Sequence, residues 1–241
     1  MKSGWRRCLV VAVSIPLMSS LASVCAQNVW EKTYEQWTKD DIIKVASASP
    51  WAQVVQTSPT TGDRVPLAYV PGVTVRLRSA LPIRQALVRL KQLEAKYDKM
   101  SEHNRADFDA KMKGLLECPA CADNYIITLG PPVSQRQMKS GIGSLRNVTP
   151  SLLERRVYIT NELGVHRELA HFVAPKHDED EATFFFPRLD DRGNPLLTKN
   201  SRKLIFVFEA KNLRTGWALD SIPERCEFDV SKLLLNGRVE F

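Results

Sequence analysis

Residues 73–97 read VTVRLRSALPIRQALVRLKQLEAKY, and within them the hydrophobic period changes from two to about 3.6. Val73 to Ser79 alternates apolar and polar side chains, the pattern of a strand with one face in a core and the other in solvent. Pro82 suits the first helical position, where its missing N–H would be unpaired in any case. Ile83, Ala86, Leu87, Leu90, Leu93 and Tyr97 then recur at helical spacing, with Arg84, Arg89, Lys91 and Lys96 expected to face outward. A strand that runs directly into an amphipathic helix predicts mixed α and β structure.

Working outward, Thr38 is a good N-cap for a helix whose first turn carries Asp40 and Asp41, where carboxylates oppose the positive end of the helix dipole. Ile42, Ile43, Val45 and Ala46 give that helix an apolar face, and Ser49-Pro50 ends it. Trp51 to Thr57 has the composition of a short strand. Thr57 to Gly72, with three prolines and two glycines, reads as a loop. On the other side, Ser101 precedes a second helix with Phe108, Met112, Leu115 and Leu116 inward, so residues 82–117 form a helical hairpin. From Asn124 the pattern is of strands: Tyr125–Leu129, Arg156–Thr160, Arg167–Val173, Ala182–Phe186, Leu204–Glu209, Arg225–Val230 and a short edge at Arg238–Phe241. Turn residues separate them, as in Asp191-Arg-Gly-Asn-Pro195, and Thr149 to Glu154 is read as one helical turn. The expected class is α+β: an N-terminal helical part (27–117) packed on an antiparallel, sandwich-like β region (118–241), with 27–241 able to form one compact unit.

Ahead of this body, Lys2, Arg6 and Arg7 precede an apolar run from Cys8 to Ala22, and Val24-Cys25-Ala26 places small residues before Gln27. That order predicts a signal peptide, residues 1–26, cleaved near Ala26-Gln27 for export to the periplasm or beyond. The rival readings are an uncleaved anchor and acylation at Cys25. Ser14, Pro16, Ser19 and Ser20 interrupt the apolar run, and Val24 is ill suited directly before an acylated cysteine. Cleavage leaves 31 basic residues against 27 acidic. A net charge of +4 favours solubility and loose attraction to anionic envelope polymers, and falls short of a nucleic-acid footprint. No later stretch is long and apolar enough to cross a bilayer.

Three cysteines remain after cleavage, Cys118, Cys121 and Cys226. In an oxidising compartment this odd count implies one bridge and one spare thiol, or an intermolecular bond. Cys118-Pro-Ala-Cys121 has redox spacing, but it follows a helix instead of opening one, and the C-terminal end of a helix raises a thiol pKa. Residue 122 is Ala, so a c-type haem motif is excluded, and two further zinc ligands are missing nearby. A structural pair at this corner is the simpler reading. Cys226 could instead bridge to Cys118 or Cys121, closing a long loop worth about 3–5 kcal/mol.

His171, His177 and Asp178 are the candidate metal ligands, set beside His166 and the acidic run to Glu181. His166 and His171 are five apart and would point to opposite faces of one strand, which favours solvated histidines over a shared metal. There is no Gly-x-Ser-x-Gly elbow, no phosphate loop and no motif that implies a cofactor. Trp30, Tyr34, Trp37 and Trp51 could form a sugar-stacking platform, or could dock an N-terminal arm on the body.

Val29-Trp-Glu-Lys with Trp37-Thr-Lys-Asp-Asp, Ser49-Pro-Trp-Ala52, Ser79-Ala-Leu-Pro-Ile-Arg84, Phe184-Phe-Phe-Pro-Arg188 and Phe228-Asp-Val-Ser-Lys-Leu-Leu resemble segments of an uncharacterised group of secreted proteins of acidobacterial type. The resemblance implies an exported location and brings no activity. The sequence therefore predicts an exported, non-catalytic binding or structural protein with an envelope polymer or protein partner. Thiol–disulfide redox chemistry at Cys118 and Cys121 is the alternative.

Overall fold

The stretch that sets the class forms a strand, Val73–Leu77 (β3), followed by the helix Leu81–Glu94 (α2) with a proline in its first turn. The computed structural model describes residues 28–55, 72–133, 141–177, 180–209 and 222–241. The predicted signal peptide, the proline-rich stretch before Gly72 and Asp178 lie outside the described residues.

Before β3 come the helix Lys39–Ser47 (α1) and the strands Ala48–Ser49 (β1) and Ala52–Val55 (β2). Thr38 caps α1 as its sequence predicts. Its hydroxyl accepts from the Asp41 N–H, and the Asp41 carboxylate accepts from the Thr38 N–H at 3.0 Å, a reciprocal capping box. After α2, Glu102–Glu117 (α3) starts at Ser101, whose Oγ accepts from the Asn104 N–H. A short turn of helix, Ala120–Asp123 (α4), leads into Asn124–Gly130 (β4). Pro150–Leu153 (α5) precedes Val157–Asn161 (β5), His166–Glu168 (β6), His171–Val173 (β7), Ala182–Pro187 (β8), Lys203–Phe208 (β9), Arg225–Asp229 (β10), Leu234–Leu235 (β11) and Arg238–Val239 (β12).

All pairings are antiparallel. One sheet runs β1-β2-β3-β4-β8-β7, a second β10-β9-β5-β6, and β11 pairs with β12. The fold is α+β. The larger sheet crosses the division expected near residue 117, because β3 from the helical part pairs with β4 along Thr74↔Gly130 to Leu77↔Ile127.

Phe184 and Phe186 of β8 meet Phe206 of β9 at ring distances of 5.6 and 6.2 Å, so these faces form the interior between the two sheets. The expected strand Arg167–Val173 is two strands, one in each sheet. The chain changes sheets at Leu169-Ala170 and closes one side of the sandwich. On the other side Gln53 Nε2 of β2 donates 2.5 Å to the Glu227 carbonyl of β10.

The expectation that β3 turns its polar residues to solvent is wrong. All five residues are buried, with Arg76 only 1 % exposed. Arg76 donates to the Ala46 carbonyl near the end of α1 (2.7 Å), to the Pro131 carbonyl (2.9 Å) and to Glu181 (2.9 Å). Its charge is therefore paired and hydrogen-bonded, the condition for burying an ion. Arg84 and Arg89 of α2 are also buried instead of outward. Arg84 donates to the Leu116 carbonyl of α3, and Arg89 to the Trp37 carbonyl at 3.2 Å. α3 lies outermost: Phe108, Met112, Leu115 and Leu116 are half-buried, and none of its residues is fully buried.

Candidate functional site

The arm, 28–37, makes two short 3₁₀ turns, Val29–Glu31 and Tyr34–Gln36. Trp37 is 1 % exposed, and Trp51 is fully buried with its indole N–H donating 2.7 Å to the Glu240 carbonyl. Trp30 stands edge-on to Trp51 at 5.5 Å, and Tyr34 edge-on to Trp37 at 6.4 Å. Two of the four candidate aromatics thus hold the arm down and cannot offer a face to a sugar. Trp30 and Tyr34 are half-buried and keep some surface.

Tyr34 borders a groove of about 470 Å³ between the arm and the helical hairpin. Val88 and Gln92 of α2 form its base, and Asp109, Met112, Lys113 and Leu116 of α3 its outer wall. Lys96 takes a left-handed conformation (φ 55°) after α2 and turns the chain so that Tyr97 reaches α3. There the Tyr97 hydroxyl donates 2.7 Å to Asp109 Oδ2. The Tyr97 ring packs on Phe108 at 5.4 Å, and the Arg105 guanidinium lies 5.7 Å from its centroid. Glu35, Asp109 and Glu117 put three carboxylates on the lining against one ammonium, Lys113, itself 3.7 Å from Glu117. Burial, with the Glu35 carboxylate second, pushes the Tyr34 phenol up to about 12. The hydrogen bond to Asp109, followed by burial, raises that of Tyr97. Both stay neutral O–H groups across ordinary pH.

Of the lining residues, sequence reasoning marks Tyr34 alone as a candidate and misses the others, Glu35, Gln92, Tyr97, Asp109 and Met112 among them. Their one outward sign is the aromatic density of 30–37, which points to Tyr34 and not to its neighbours across the groove.

Beyond Glu117 the chain turns at Cys118, the left-handed C-cap of α3 (φ 46°), and Cys118 is disulfide-bonded to Cys121. Arg188 Nε donates 2.8 Å to the Cys121 carbonyl, its second nitrogen to the Phe241 carbonyl, and its guanidinium lies 4.5 Å from the Tyr125 ring centroid. The alternative bridge from Cys226 is not made. Cys226 is a free thiol, 3 % exposed within the core, and burial, with Glu227 second, pushes its pKa up to about 12.

The histidines do not converge. His166 and His171 are exposed on different sheets, beside Tyr158 and Phe185, and His177 is exposed further along. Among the described residues no group of three or more His, Cys, Asp or Glu is placed to hold a metal ion. No helix among them is long and apolar enough to cross a membrane. Comparison with protein-family models, curated proteins and solved structures finds no match.

Proposed function

We propose that this protein is an exported, non-catalytic binding protein of the cell envelope whose ligand seat is the groove between the aromatic arm and the helical hairpin. The observation that carries the reading is the lining of that groove. Apolar lining from Val88, Met112 and Leu116 is combined with a few converging polar groups, Tyr34, Gln92 and Asp109, the composition of small-ligand sites. The export half of the reading rests on the charge and hydropathy order of residues 1–26.

Thiol–disulfide exchange is less well supported. A thiolate at Cys118 would stand at the negative end of the α3 dipole, and Cys121 is buried.

Three measurements on natively exported protein test the reading. Intact mass is expected to begin at Gln27 with one bridge. Insulin reduction is expected to show no turnover above a Cys118→Ser/Cys121→Ser control. A thermal-shift screen of small molecules is expected to yield a stabilising ligand whose effect disappears in Ala110→Trp, which fills the groove from the exposed side of α3. Insulin turnover that needs the two cysteines would overturn the binding reading in favour of redox chemistry.

A further inference from the structure

Resting on the groove as the binding seat, we infer that its ligand carries an alkylammonium group: the ammonium sits at Tyr34 between the carboxylates of Glu35 and Asp109, and the alkyl chain lies along Val88, Met112 and Leu116. Three observations converge on this chemistry.

The first is charge. Of the charged residues on the lining, three are carboxylates and one is an ammonium, and that ammonium is paired with Glu117, which leaves the charges of Glu35 and Asp109 for a cationic ligand. The second is the aromatic component. A tyrosine face attracts a cation through its ring quadrupole. The Tyr97 ring beside the groove already holds the Arg105 guanidinium at 5.7 Å, and the Asp109 hydrogen bond fixes its position. The third is an unpaired donor. Gln92 lines the groove yet is only 4 % exposed; its Oε1 accepts from Arg89 Nη1 at 3.2 Å, and no described residue accepts from its Nε2. A ligand oxygen entering the groove can accept from this donor. A chain with an ammonium at one end and a carbonyl or carboxylate at the other meets all three. A lysine-like unit has that form, either free or as a residue of a peptide.

The probes are Nα-acetyl-lysine amide for the peptide source, free lysine for the amino-acid source, 1,5-diaminopentane for the cation without the carbonyl, and Nα-acetyl-norleucine amide for the same chain without the charge. Binding is followed by calorimetry. One lysine probe is expected to bind at least tenfold more tightly than the norleucine probe, with 1,5-diaminopentane between them. Asp109→Asn keeps an acceptor for Tyr97 and is expected to weaken lysine binding about tenfold while leaving the melting temperature unchanged. Equal affinity for the norleucine probe, or lysine affinity unmoved in Asp109→Asn, would overturn the alkylammonium assignment. Silence from every probe would do the same. In all three cases a different ligand whose stabilisation is lost in Ala110→Trp keeps the groove as the seat. Lysine binding that survives Ala110→Trp refutes the groove itself.

Discussion

The Cys118–Cys121 bridge lends itself to a quantitative test, because its loop is so short. Only four residues lie in the closed ring. The chain-entropy relation for a cross-link of that size gives about 6 cal/mol/K, or about 2 kcal/mol at 25 °C, whereas a loop of about 100 residues, as a bridge from Cys226 would close, gives about 5 kcal/mol. The corner also has ties that do not depend on sulfur. Arg84 donates to the Leu116 carbonyl, Arg188 to the Cys121 carbonyl, and the Cys118 N–H to the Gly114 carbonyl at 3.1 Å. Cys118→Ser/Cys121→Ser is therefore expected to fold, and to lose about 2 kcal/mol. For a domain of this size that is a fall of about 4–8 °C in melting temperature. Urea denaturation should show a lower midpoint with an unchanged slope, since the surface exposed on unfolding is the same. Reductant should produce the same fall in the wild type and none in the double variant. A loss of 4–5 kcal/mol, or no loss at all, would refute the assignment of a local, loop-closing role.

The remaining expectations concern the core and its charges. Arg76→Met leaves the Ala46 and Pro131 carbonyls and Glu181 short of a donor, and should cost about 3–5 kcal/mol in chemical denaturation, against less than about 1 kcal/mol for the more exposed Arg78→Met; equal losses would contradict the burial of Arg76. Thr128 is fully buried and its hydroxyl has no hydrogen-bond partner among the described residues, so Thr128→Val should stabilise by about 1 kcal/mol, and a destabilised variant would show that the hydroxyl is satisfied. Asp41 is held below the usual aspartate value by the Thr38 N–H. Its stabilising contribution is therefore complete above about pH 4 and fades as pH falls through the depressed value, so the stability gap between wild type and Asp41→Asn should close on acidification and not open. In protein beginning at Gln27, Cys226 should ignore Ellman's reagent at pH 8 in the native state and release one equivalent in urea; rapid native reaction would place the thiol at the surface.

Local signals are legible in this sequence, and long-range ones are not. Thr38 with Asp41, Pro82 and the apolar spacing of α2 act within a few residues, so both helices are legible. The strands are legible where a half-buried face alternates, as in β5 and β8. Arg76 defeats that rule, because its partner Glu181 is 105 residues away and nothing in the alternation marks a second covered face. The change of sheet at Leu169-Ala170 is silent for a related reason: His166 to Val173 gives no local sign of which neighbour each half will pair with. β11 is two residues long and carries no period. At the cysteines, spacing allows either a local bridge or one to Cys226, and the choice depends on Cys226 facing the core from β10. The groove was the least legible feature, because periodicity marks the apolar faces of α2 and α3 but does not show that Asp109 and Tyr97 will meet beside Tyr34.

α3 has no fully buried residue, so apolar packing alone is a weak hold on the outer wall of the groove. Its two ends are fastened by specific polar and covalent contacts instead. Towards the first, Arg105 donates to the Asp98 carbonyl at 3.1 Å, and at mid-helix the Tyr97 hydroxyl donates to Asp109. At the second, Arg84 reaches the Leu116 carbonyl, and the disulfide passes the chain to Arg188 and β4. Glu240 ties this second end to the arm. Its carboxylate accepts from the Leu81 N–H at 2.7 Å and stands 3.7 Å from Arg84, while its carbonyl accepts from Trp51, against which Trp30 packs. The arm and both helices of the hairpin thus share one set of supports on the sandwich. On the proposed binding reading, the bridge at Cys118 and Cys121 has a structural part, fixing the end of the wall on which Asp109, Met112 and Leu116 are carried.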